Sequence, residues 1–342
     1  MTVGDPAADV LRDRYDVLLL DLDGTVYAGA EAIPGARDAL VVDGGPRLFY
    51  VTNNASRSPA HVAGHLNELG FPATEFEVVT SSQSAARLLA QRIPAGSAVL
   101  VVGTDALADE IELVGLRSVR SYDDAPVAVV QGHSPDTGWR ILAEATLAIR
   151  AGAYWVASNV DTTLPTERGL CLGNGSMVAA LRAATDRAPD VAGKPARPLM
   201  DDAVRRSSAD RPLVIGDRID TDIAGANNAG LDSLLVLSGV STAADLLVAQ
   251  PSERPTYLAD TLAALDETPE ALRIAPHHDV TAQVEDEVLW IAAGDDVDEC
   301  VVLRAGLAAA WEAPGITDVR GRGPVGAAVA DQLSGRAHGR RD

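Results

Sequence analysis

Residues 16–25 read Asp-Val-Leu-Leu-Leu-Asp-Leu-Asp-Gly-Thr. The short apolar run at 17–20 is typical of a strand buried on both faces of a parallel sheet. Asp21 and Asp23 then stand at the carboxyl end of that strand, which is the edge of an open α/β sheet where ligands bind. Two carboxylates so close together repel each other unless a cation lies near them. The stretch therefore predicts a magnesium site at Asp21 and Asp23.

Strand-like apolar runs alternate with helical stretches along the chain on either side of this site. The predicted strands are 16–20, 47–51, 98–102, 127–131, 154–156, 213–215 and 234–237. The predicted helices are 58–69, 84–92, 104–114, 137–150 and 219–229. This alternation predicts an α/β fold built on a doubly wound parallel sheet.

Three further polar clusters accompany the predicted strands. Thr52-Asn53-Asn54 closes the strand at 47–51 and offers a hydroxyl and backbone N–H groups to an anion. Lys194 is the chain's only lysine, and Pro195 after it suits the first turn of a helix. Residues 217–222 read Asp-Arg-Ile-Asp-Thr-Asp and add carboxylates for a cation. One compact ammonium in a chain that otherwise uses arginine indicates phosphoryl chemistry.

Taken in chain order, these clusters resemble the motif set of the haloacid dehalogenase superfamily of phosphohydrolases. The matching positions, from the first motif to the fourth, are Asp21 with Asp23, Thr52, Lys194, and Asp217 with Asp222. An isolated Asp-x-Asp is a weak signal, whereas the ordered set is specific. The resemblance implies a core domain with a mobile cap, Mg²⁺ as cofactor and an aspartyl-phosphate intermediate.

The resemblance also implies a role for each motif residue. Asp21 would attack phosphorus, and Asp23 would protonate the leaving group and then accept a proton from water. Mg²⁺ would be held by Asp21, the Asp23 carbonyl and Asp217, with Asp222 in the second layer holding a metal-bound water. The phosphate-binding groups would be Thr52, the Asn53 backbone N–H and Lys194.

The stretch between Thr52 and Lys194 is far too long for a loop and has strand and helix signals of its own. An α/β insertion at this place resembles the C2-type cap of superfamily subfamily IIA, the nitrophenyl-phosphatase-like and nucleotidase-like enzymes. The segment 27–36 also resembles that subfamily. The predicted divisions are a core domain in two parts at 1–84 and 190–265, a cap at 85–189, and a C-terminal extension at 266–342.

The predicted cap contains Ser158-Asn159-Val160-Asp161, which resembles the subfamily's substrate loop, Thr-Asn-x-Asp. Asn159 and Asp161 would hydrogen-bond a polar leaving group, and an Asx turn is the alternative. Ser158 and Leu172 depart from the Thr and Pro expected in the subfamily. An acidic residue on this loop suits a hydroxyl-rich leaving group better than a highly anionic one.

The sequence as a whole resembles bacterial glycerol 3-phosphate phosphatases of this subfamily. That resemblance implies hydrolysis of glycerol 3-phosphate to glycerol and phosphate. Three alternatives stay open at this point: a broad-specificity nitrophenyl phosphatase or nucleotidase, a mutase that transfers the phosphoryl group to another acceptor, and a ligand-sensing protein that acts through its C-terminal extension.

The extension lies beyond the usual end of the subfamily. Residues 321–326 have the Gly-x-Gly-x-x-Gly spacing of a dinucleotide loop, but we predict no complete βαβ unit around them and reject that function. With Arg320, the same glycines resemble the pyrophosphate loop of acetyl-coenzyme A-dependent N-acetyltransferases, in a segment too short for a whole domain of that type. We expect a truncated, non-catalytic appendage that packs on the core or mediates dimer contacts.

Composition narrows the classes of partner. A net charge of −21 argues against nucleic acid, whose phosphates need clustered cations. No apolar run approaches the ~20 residues of a membrane span, and the first 20 residues lack the pattern of a signal peptide. Two cysteines, Cys171 and Cys300, cannot build a disulfide framework. We expect a cytoplasmic enzyme for a small phosphate ester, with no membrane or nucleic-acid partner, and a homodimer because relatives commonly pair through their caps.

Overall fold

The computed structural model describes residues 9–166, 168–313 and 315–335. In chain order the strands of these residues are β1 Val17–Leu20, β2 Tyr27–Ala28, β3 Glu31–Ala32, β4 Arg47–Thr52, β5 Val78–Thr80, β6 Ala98–Val102, β7 Arg117–Val119, β8 Ala128–Gln131, β9 Tyr154–Ala157, β10 Thr163–Thr166, β11 Gly169–Leu172, β12 Asp190–Val191, β13 Pro212–Gly216, β14 Asp232–Val236, β15 Tyr257–Ala259, β16 Val280–Glu285, β17 Val288–Ala293 and β18 Asp318–Arg322.

The α-helices of the same residues are α1 Ala36–Leu40, α2 Pro59–Glu68, α3 Ser81–Arg92, α4 Asp105–Leu113, α5 Trp139–Arg150, α6 Asn174–Thr185, α7 Arg197–Ser207, α8 Ala224–Ala229, α9 Ala243–Leu247, α10 Pro269–Leu272, α11 Glu299–Glu312 and α12 Gly323–Leu333. None of them combines the length and the apolar character that a membrane span requires.

Each predicted strand and helix is present, and the differences lie at the ends. Helix α3 begins at Ser81, earlier than predicted, because Thr80 and Gln83 form a capping box in which each side chain accepts the other's backbone N–H. The prediction that Pro195 lies in the first turn of a helix was wrong. Helix α7 begins at Arg197, and Pro198 occupies its first turn instead.

The described residues form two compact units. The first contains the residues up to Leu48 and those from Asp210 onward, and the second contains Phe49–Ala209. Strand β4 crosses the boundary, since it begins at Arg47 and ends at Thr52. The cap limits at 85 and 189 differ from the limits of these units and stay a prediction.

The first unit contains parallel strands in the order β15, β14, β13, β1. All four residues of β1 are buried, as predicted for the strand before Asp21. Leu20 of β1 pairs with Ile215 of β13, and the Asp21 N–H donates to the Ile215 carbonyl at 2.8 Å. Because parallel neighbours end at the same edge of a sheet, Asp21 and the residues after β13 lie side by side.

The second unit contains the parallel pair β4 and β5 and a parallel sheet in the order β12, β9, β8, β6, β7. Alternate residues of its strands point to opposite faces. Val99 and Val101 pack in one hydrophobic cluster with residues of α3 and α4. Leu100 and Val102 pack in another with residues of α5 and α6. Helices thus cover both faces of a parallel sheet, and the predicted α/β class is confirmed.

The residues after 266 pack against the α/β part of the first unit. Strands β16, β17 and β18 form a sheet of their own, and α11 and α12 accompany it. Leu307 of α11 and Val329 of α12 belong to one buried cluster with Leu246 and Leu258. The Trp311 indole N–H donates to the Leu246 carbonyl at 2.9 Å. The extension therefore shares a hydrophobic core with the α/β part.

The glycines at 321–326 lie where a strand meets a helix. Strand β17, helix α11 and strand β18 form a βαβ unit, because β17 and β18 are parallel neighbours. The glycine run lies after that unit, at the junction of β18 and α12, and in the described residues no strand follows α12, so the run does not open the βαβ unit that a dinucleotide loop requires. The glycines also have a packing reason, since a Cβ at Gly321 would lie 2.0 Å from the Gly326 oxygen and one at Gly326 would lie 2.9 Å from the Ile291 oxygen. The close approach of α12 to the sheet requires them.

Replacing Leu307 with alanine is expected to lower the free energy of unfolding by about 2–5 kcal/mol, because Leu307 is fully buried where the extension meets the α/β part. Leu113, which is 78% exposed, is the matched control, and its alanine variant should change that free energy by less than about 0.5 kcal/mol. Urea unfolding followed by circular dichroism measures both. Equal midpoints for the two variants would contradict a shared core.

Candidate active site

Three carboxylates meet at the carboxyl ends of β1 and β13. One oxygen from each of Asp21, Asp217 and Asp222 lies within 4.8 Å of the other two. Asp217 is 0% exposed and Asp222 is 1% exposed, whereas Asp21 is half-buried. Asp23, whose side chain is exposed, is not part of this group. Buried like charges at this distance favour a bound cation.

Neighbouring donors orient the Asp217 carboxylate. The Val240 backbone N–H donates to Oδ2 at 2.6 Å, and the Thr25 hydroxyl donates to Oδ1 at 3.5 Å. The Ser241 N–H donates to the Asp217 carbonyl at 3.0 Å. Asp217 is thus held by the loop after β14 and by the residue that follows the Asp-x-Asp-Gly turn. Sequence reasoning missed the loop, whose small residues after a strand were the available signal.

Asp222 reaches the group from a single turn of π-helix at Ile219–Ile223, which opens the segment predicted as a helix at 219–229. The Arg218 backbone N–H donates to Asp222 Oδ2 at 3.1 Å, and the Asp222 N–H donates back to the Arg218 carbonyl at 3.0 Å. Turns of this kind are frequent at functional sites. The wider turn returns the side chain toward β13.

Three glycines provide the space that the buried carboxylates of Asp217 and Asp222 occupy. A Cβ at Gly239 would lie 2.0 Å from Asp217 Oδ2, and one at Gly216 would lie 2.4 Å from Asp222 Oδ2. Gly24 has a φ of +91°, and its Cβ would lie 2.4 Å from Asp217 Oδ2. The chain therefore packs its backbone directly against the carboxylates.

The donor set fits Mg²⁺. This ion prefers oxygen ligands at about 2.0–2.1 Å in octahedral geometry, so ligand oxygens lie about 2.9 Å apart when adjacent and about 4.1 Å apart when opposite. The separations within the Asp21, Asp217 and Asp222 group have an upper limit of 4.8 Å, and all three donors are carboxylate oxygens. Few protein ligands suffice because Mg²⁺ keeps several waters.

In the second unit, the Asn53 side chain ties several predicted site residues together. Its Nδ2 donates to the Asp161 carboxylate at 3.2 Å and to the Lys194 carbonyl at 3.0 Å, while its Oδ1 accepts the Lys194 N–H at 2.8 Å. Its backbone oxygen accepts from Asn159 Nδ2 at 2.7 Å and from the Ser81 hydroxyl at 2.6 Å. Sequence reasoning assigned Asn53 only a backbone N–H and missed this linking role.

Lys194 is 2% exposed, although lysines are rarely buried. Its ammonium Nζ donates to the Val51 carbonyl at 3.1 Å, at the end of β4. Gly193 before it cannot carry a side chain, because a Cβ there would lie 2.5 Å from both Asn53 Oδ1 and the Ser158 oxygen. Thr52 is also buried, and its hydroxyl accepts the Asn54 N–H at 3.1 Å. Lys194 and Thr52 thus both lie at the carboxyl end of β4.

The loop 158–161 forms an Asx turn, which was the alternative to a substrate-binding loop. The Asn159 Oδ1 accepts the Asp161 N–H at 3.3 Å, and Asn159 is only 5% exposed. Its amide is thus engaged on both sides, by Asp161 and by the Asn53 carbonyl. Asp161 is more exposed, and substrate contact at this residue stays a prediction.

Residues 18–117 match the family of haloacid dehalogenase-like hydrolases, and residues 191–265 match a HAD-hydrolase-like family. A D-glycerol 3-phosphate phosphatase of Mycobacterium tuberculosis is 53% identical over 310 residues, which cover 89% of this chain and 88% of the relative. This chain belongs to the haloacid dehalogenase-like hydrolases. The predicted family and enzyme class are confirmed.

Other relatives match this hydrolase over different shares of its length. The 5'-nucleotidase YutF of Bacillus subtilis is 38% identical over 252 residues, which cover 72% of this chain and 96% of the relative. A crystal structure of a glycerol phosphate phosphatase from Mycobacterium tuberculosis with magnesium has a TM-score of 0.90 and 51% identity, and the match covers 95% of this chain and 98% of that one. A p-nitrophenyl phosphatase from Archaeoglobus fulgidus has a TM-score of 0.68 and 29% identity, covering 75% and 99%. The fold is thus that of the family's phosphatases.

Proposed function

We propose that this hydrolase is a magnesium-dependent phosphatase that converts glycerol 3-phosphate to glycerol and phosphate. The observation that carries the proposal is the convergence of the Asp21, Asp217 and Asp222 carboxylates, in a chain 53% identical to a D-glycerol 3-phosphate phosphatase. Three converging carboxylates suit a divalent cation beside a phosphate ester. When bound, Mg²⁺ neutralises the charge of the ester, so that a carboxylate can approach it.

In the first half of the proposed reaction, Asp21 attacks phosphorus with a carboxylate oxygen. The ester P–O bond breaks, an aspartyl-phosphate forms, and Asp23 gives its proton to the departing glycerol oxygen. In the second half, Asp23 accepts a proton from water, and that water attacks phosphorus, which frees Asp21 and phosphate. The exposure of Asp23 is consistent with a group that exchanges protons with a leaving group and with water.

Binding of the phosphoryl group is assigned to Thr52, the Asn53 backbone N–H and Lys194. Mg²⁺ is assigned to Asp21, the Asp23 carbonyl and Asp217, with Asp222 in the second layer. The glycine-lined packing around Asp217 supports this set, because it holds a buried carboxylate in one orientation.

Asn159 and Asp161 are assigned to the glycerol hydroxyls. Asp161 accepts from the Asn53 amide and is half-exposed, so a substrate hydroxyl can reach its carboxylate from solvent. A carboxylate acceptor favours hydroxyl groups and repels a second phosphate, which distinguishes glycerol 3-phosphate from nucleotides with more than one phosphate.

The substrate assignment is tested by phosphate release from a panel of esters in the presence of Mg²⁺. Glycerol 3-phosphate should have the highest kcat/KM, above 4-nitrophenyl phosphate and nucleoside monophosphates. Asp161→Asn should lower kcat/KM for glycerol 3-phosphate by about tenfold and leave kcat/KM for 4-nitrophenyl phosphate largely unchanged. A clear preference for 4-nitrophenyl phosphate or nucleotides would overturn the substrate and keep the reaction class.

The domain divisions enter the same proposal, with a cap at 85–189 between core segments 1–84 and 190–265. The extension at 266–342 is proposed as a non-catalytic appendage, truncated relative to an acetyltransferase. The packing of Gly321 and Gly326 against neighbouring backbone supports a structural role for that loop. Acetyl-coenzyme A should then leave the melting temperature unchanged, and a concentration-dependent rise would indicate a ligand site.

We also propose a homodimer and a cytoplasmic location, with neither nucleic acid nor membrane as partner. Leu170 and Leu172 of the hairpin β10–β11 are 73% and 67% exposed, and exposed apolar groups of this kind favour association. Size-exclusion chromatography with light scattering tests the dimer, and a monomer at all concentrations would exclude it.

Fractionation of cells that produce the protein tests the cytoplasmic location, and recovery in the membrane or extracellular fraction would contradict it.

A further inference from the structure

The linker 273–279 joins the α/β part of the first unit to its three-stranded sheet and reads Arg-Ile-Ala-Pro-His-His-Asp. At its start, the Arg273 guanidinium lies 5.2 Å from the centroid of the Tyr257 ring. At its end, Val280 begins β16, and its N–H donates to the His277 carbonyl at 3.1 Å. Both ends are held by packed elements, which limits the conformations of the residues between them.

Three metal-ligating side chains converge at the end of this linker. One donor atom from each of His277, His278 and Asp279 lies within 4.8 Å of the other two. Asp279 Oδ2 is 3.1 Å from His278 Nε2 and 3.9 Å from His277 Nδ1. A tetrahedral ion with bonds of about 2.0–2.1 Å separates its ligand atoms by about 3.3–3.4 Å. The observed separations lie on either side of that value.

A backbone hydrogen bond holds the His277 ring beside Asp279. The Asp279 backbone N–H donates to His277 Nδ1 at 3.3 Å. A hydrogen bond of this length is weak and can be exchanged for a metal bond. The side chains of His277, His278 and Asp279 are 38%, 82% and 55% exposed, so an ion can reach them from solvent.

We propose that His277, His278 and Asp279 bind a borderline divalent transition-metal ion, of which Zn²⁺ and Cu²⁺ are examples. Two imidazoles and one carboxylate are a ligand set that these ions prefer and that Mg²⁺ does not. The set leaves a fourth position for water. The site is distinct in chemistry from the group at Asp21, whose donors are all carboxylate oxygens.

A metal ion bound at this site would restrain the linker between the two parts of the first unit. The ion binds the ordered arrangement and not the unfolded chain, so the melting temperature should rise with the logarithm of the ion concentration above the dissociation constant. Metal uptake should release protons and weaken as the pH falls, because imidazole binds only in its neutral form. Phosphate release with saturating Mg²⁺ should be unchanged, since none of the three residues is assigned to the reaction.

The test uses the full-length protein with saturating Mg²⁺. Cu²⁺ is added stepwise and its binding is measured by electron paramagnetic resonance. Zn²⁺ binding is measured in parallel by isothermal titration calorimetry. Nitrogen hyperfine structure separates an imidazole site from an all-oxygen site. The variant is the double substitution His277→Ala, His278→Ala. The matched control is His61→Ala, His65→Ala, a pair one helical turn apart on α2. Asp21→Asn removes a ligand of the other site.

We expect one nitrogen-coordinated ion per chain in the original protein, the His61 and His65 control and the Asp21→Asn variant. The His277 and His278 variant should lose at least about tenfold in affinity, since even indirect contacts to a metal ligand are worth 10–100-fold. The proposal is overturned if that variant binds like the original protein, if the bound ion shows only oxygen ligands, or if neither Cu²⁺ nor Zn²⁺ binds beyond the Asp21 site.

Discussion

Asp21→Asn is expected to lower kcat for phosphate release by at least about 10⁴-fold, because a carboxamide cannot attack phosphorus. The substitution keeps the shape of the side chain. It also removes one of three like charges from the group with Asp217 and Asp222, so the melting temperature should stay level or rise. Steady-state phosphate release and thermal unfolding measure the two effects.

The control for Asp21 is Asp43→Asn, at an exposed turn position of the same unit. It should change neither kcat for phosphate release nor the melting temperature. Trapping of the phosphorylated protein at acid pH, followed by mass spectrometry, should show one added phosphoryl group in the original protein and none in Asp21→Asn. A variant that keeps more than a tenth of the original kcat would exclude Asp21 as the nucleophile.

Lys194→Met is expected to lower kcat/KM by about 10²–10³-fold, the usual loss when one charged or hydrogen-bonding group is taken from a transition state. Methionine fills a similar volume without the charge. Lys194 is 2% exposed and its Nζ donates to the Val51 carbonyl, so the methionine leaves a buried acceptor unsatisfied, which costs about 1–3 kcal/mol of stability. The predicted signature is therefore a large loss of activity in a protein that is folded but somewhat less stable.

Two comparisons sharpen the Lys194 result. Lys194→Arg should not restore activity, since a larger planar guanidinium does not fit a site shaped for a compact ammonium. Arg197→Met, three positions further along, removes an exposed charge paired with Asp201 and should leave kcat/KM unchanged. Full activity in Lys194→Met would show that the ammonium serves the fold and not the reaction.

Local sequence was enough to predict the strands that carry the site. An apolar run such as 17–20 has few alternatives to a buried parallel strand, and its four residues are all buried. The same reasoning placed Asp21 and Asp217 at the carboxyl ends of strands, and the structure shows that these strands, β1 and β13, are neighbours. It failed at α7, where Pro195 and Pro198 are equally suited to a first turn by residue type and Pro198 is the one that occupies it.

The C-terminal extension shows where pattern reasoning stops. Strands β16 and β18 were not predicted because they are half-exposed and contain charged residues, and so carry little hydrophobic signal. The glycines of 321–326 matched a ligand loop in spacing, yet the structure gives Gly321 and Gly326 a steric reason. Spacing alone cannot separate a loop that binds from a loop that packs.

The sequence by itself determined the order of the four motifs, the strand that precedes each carboxylate and hence the family, because these features depend on residues close together in the chain. Only the tertiary structure decided that Asp222 joins Asp21 and Asp217, that Val240 orients Asp217, and that the Asn53 amide links Asp161 to Lys194. Those contacts join residues far apart in sequence. They follow from strand pairing and chain reversal, which no short segment encodes.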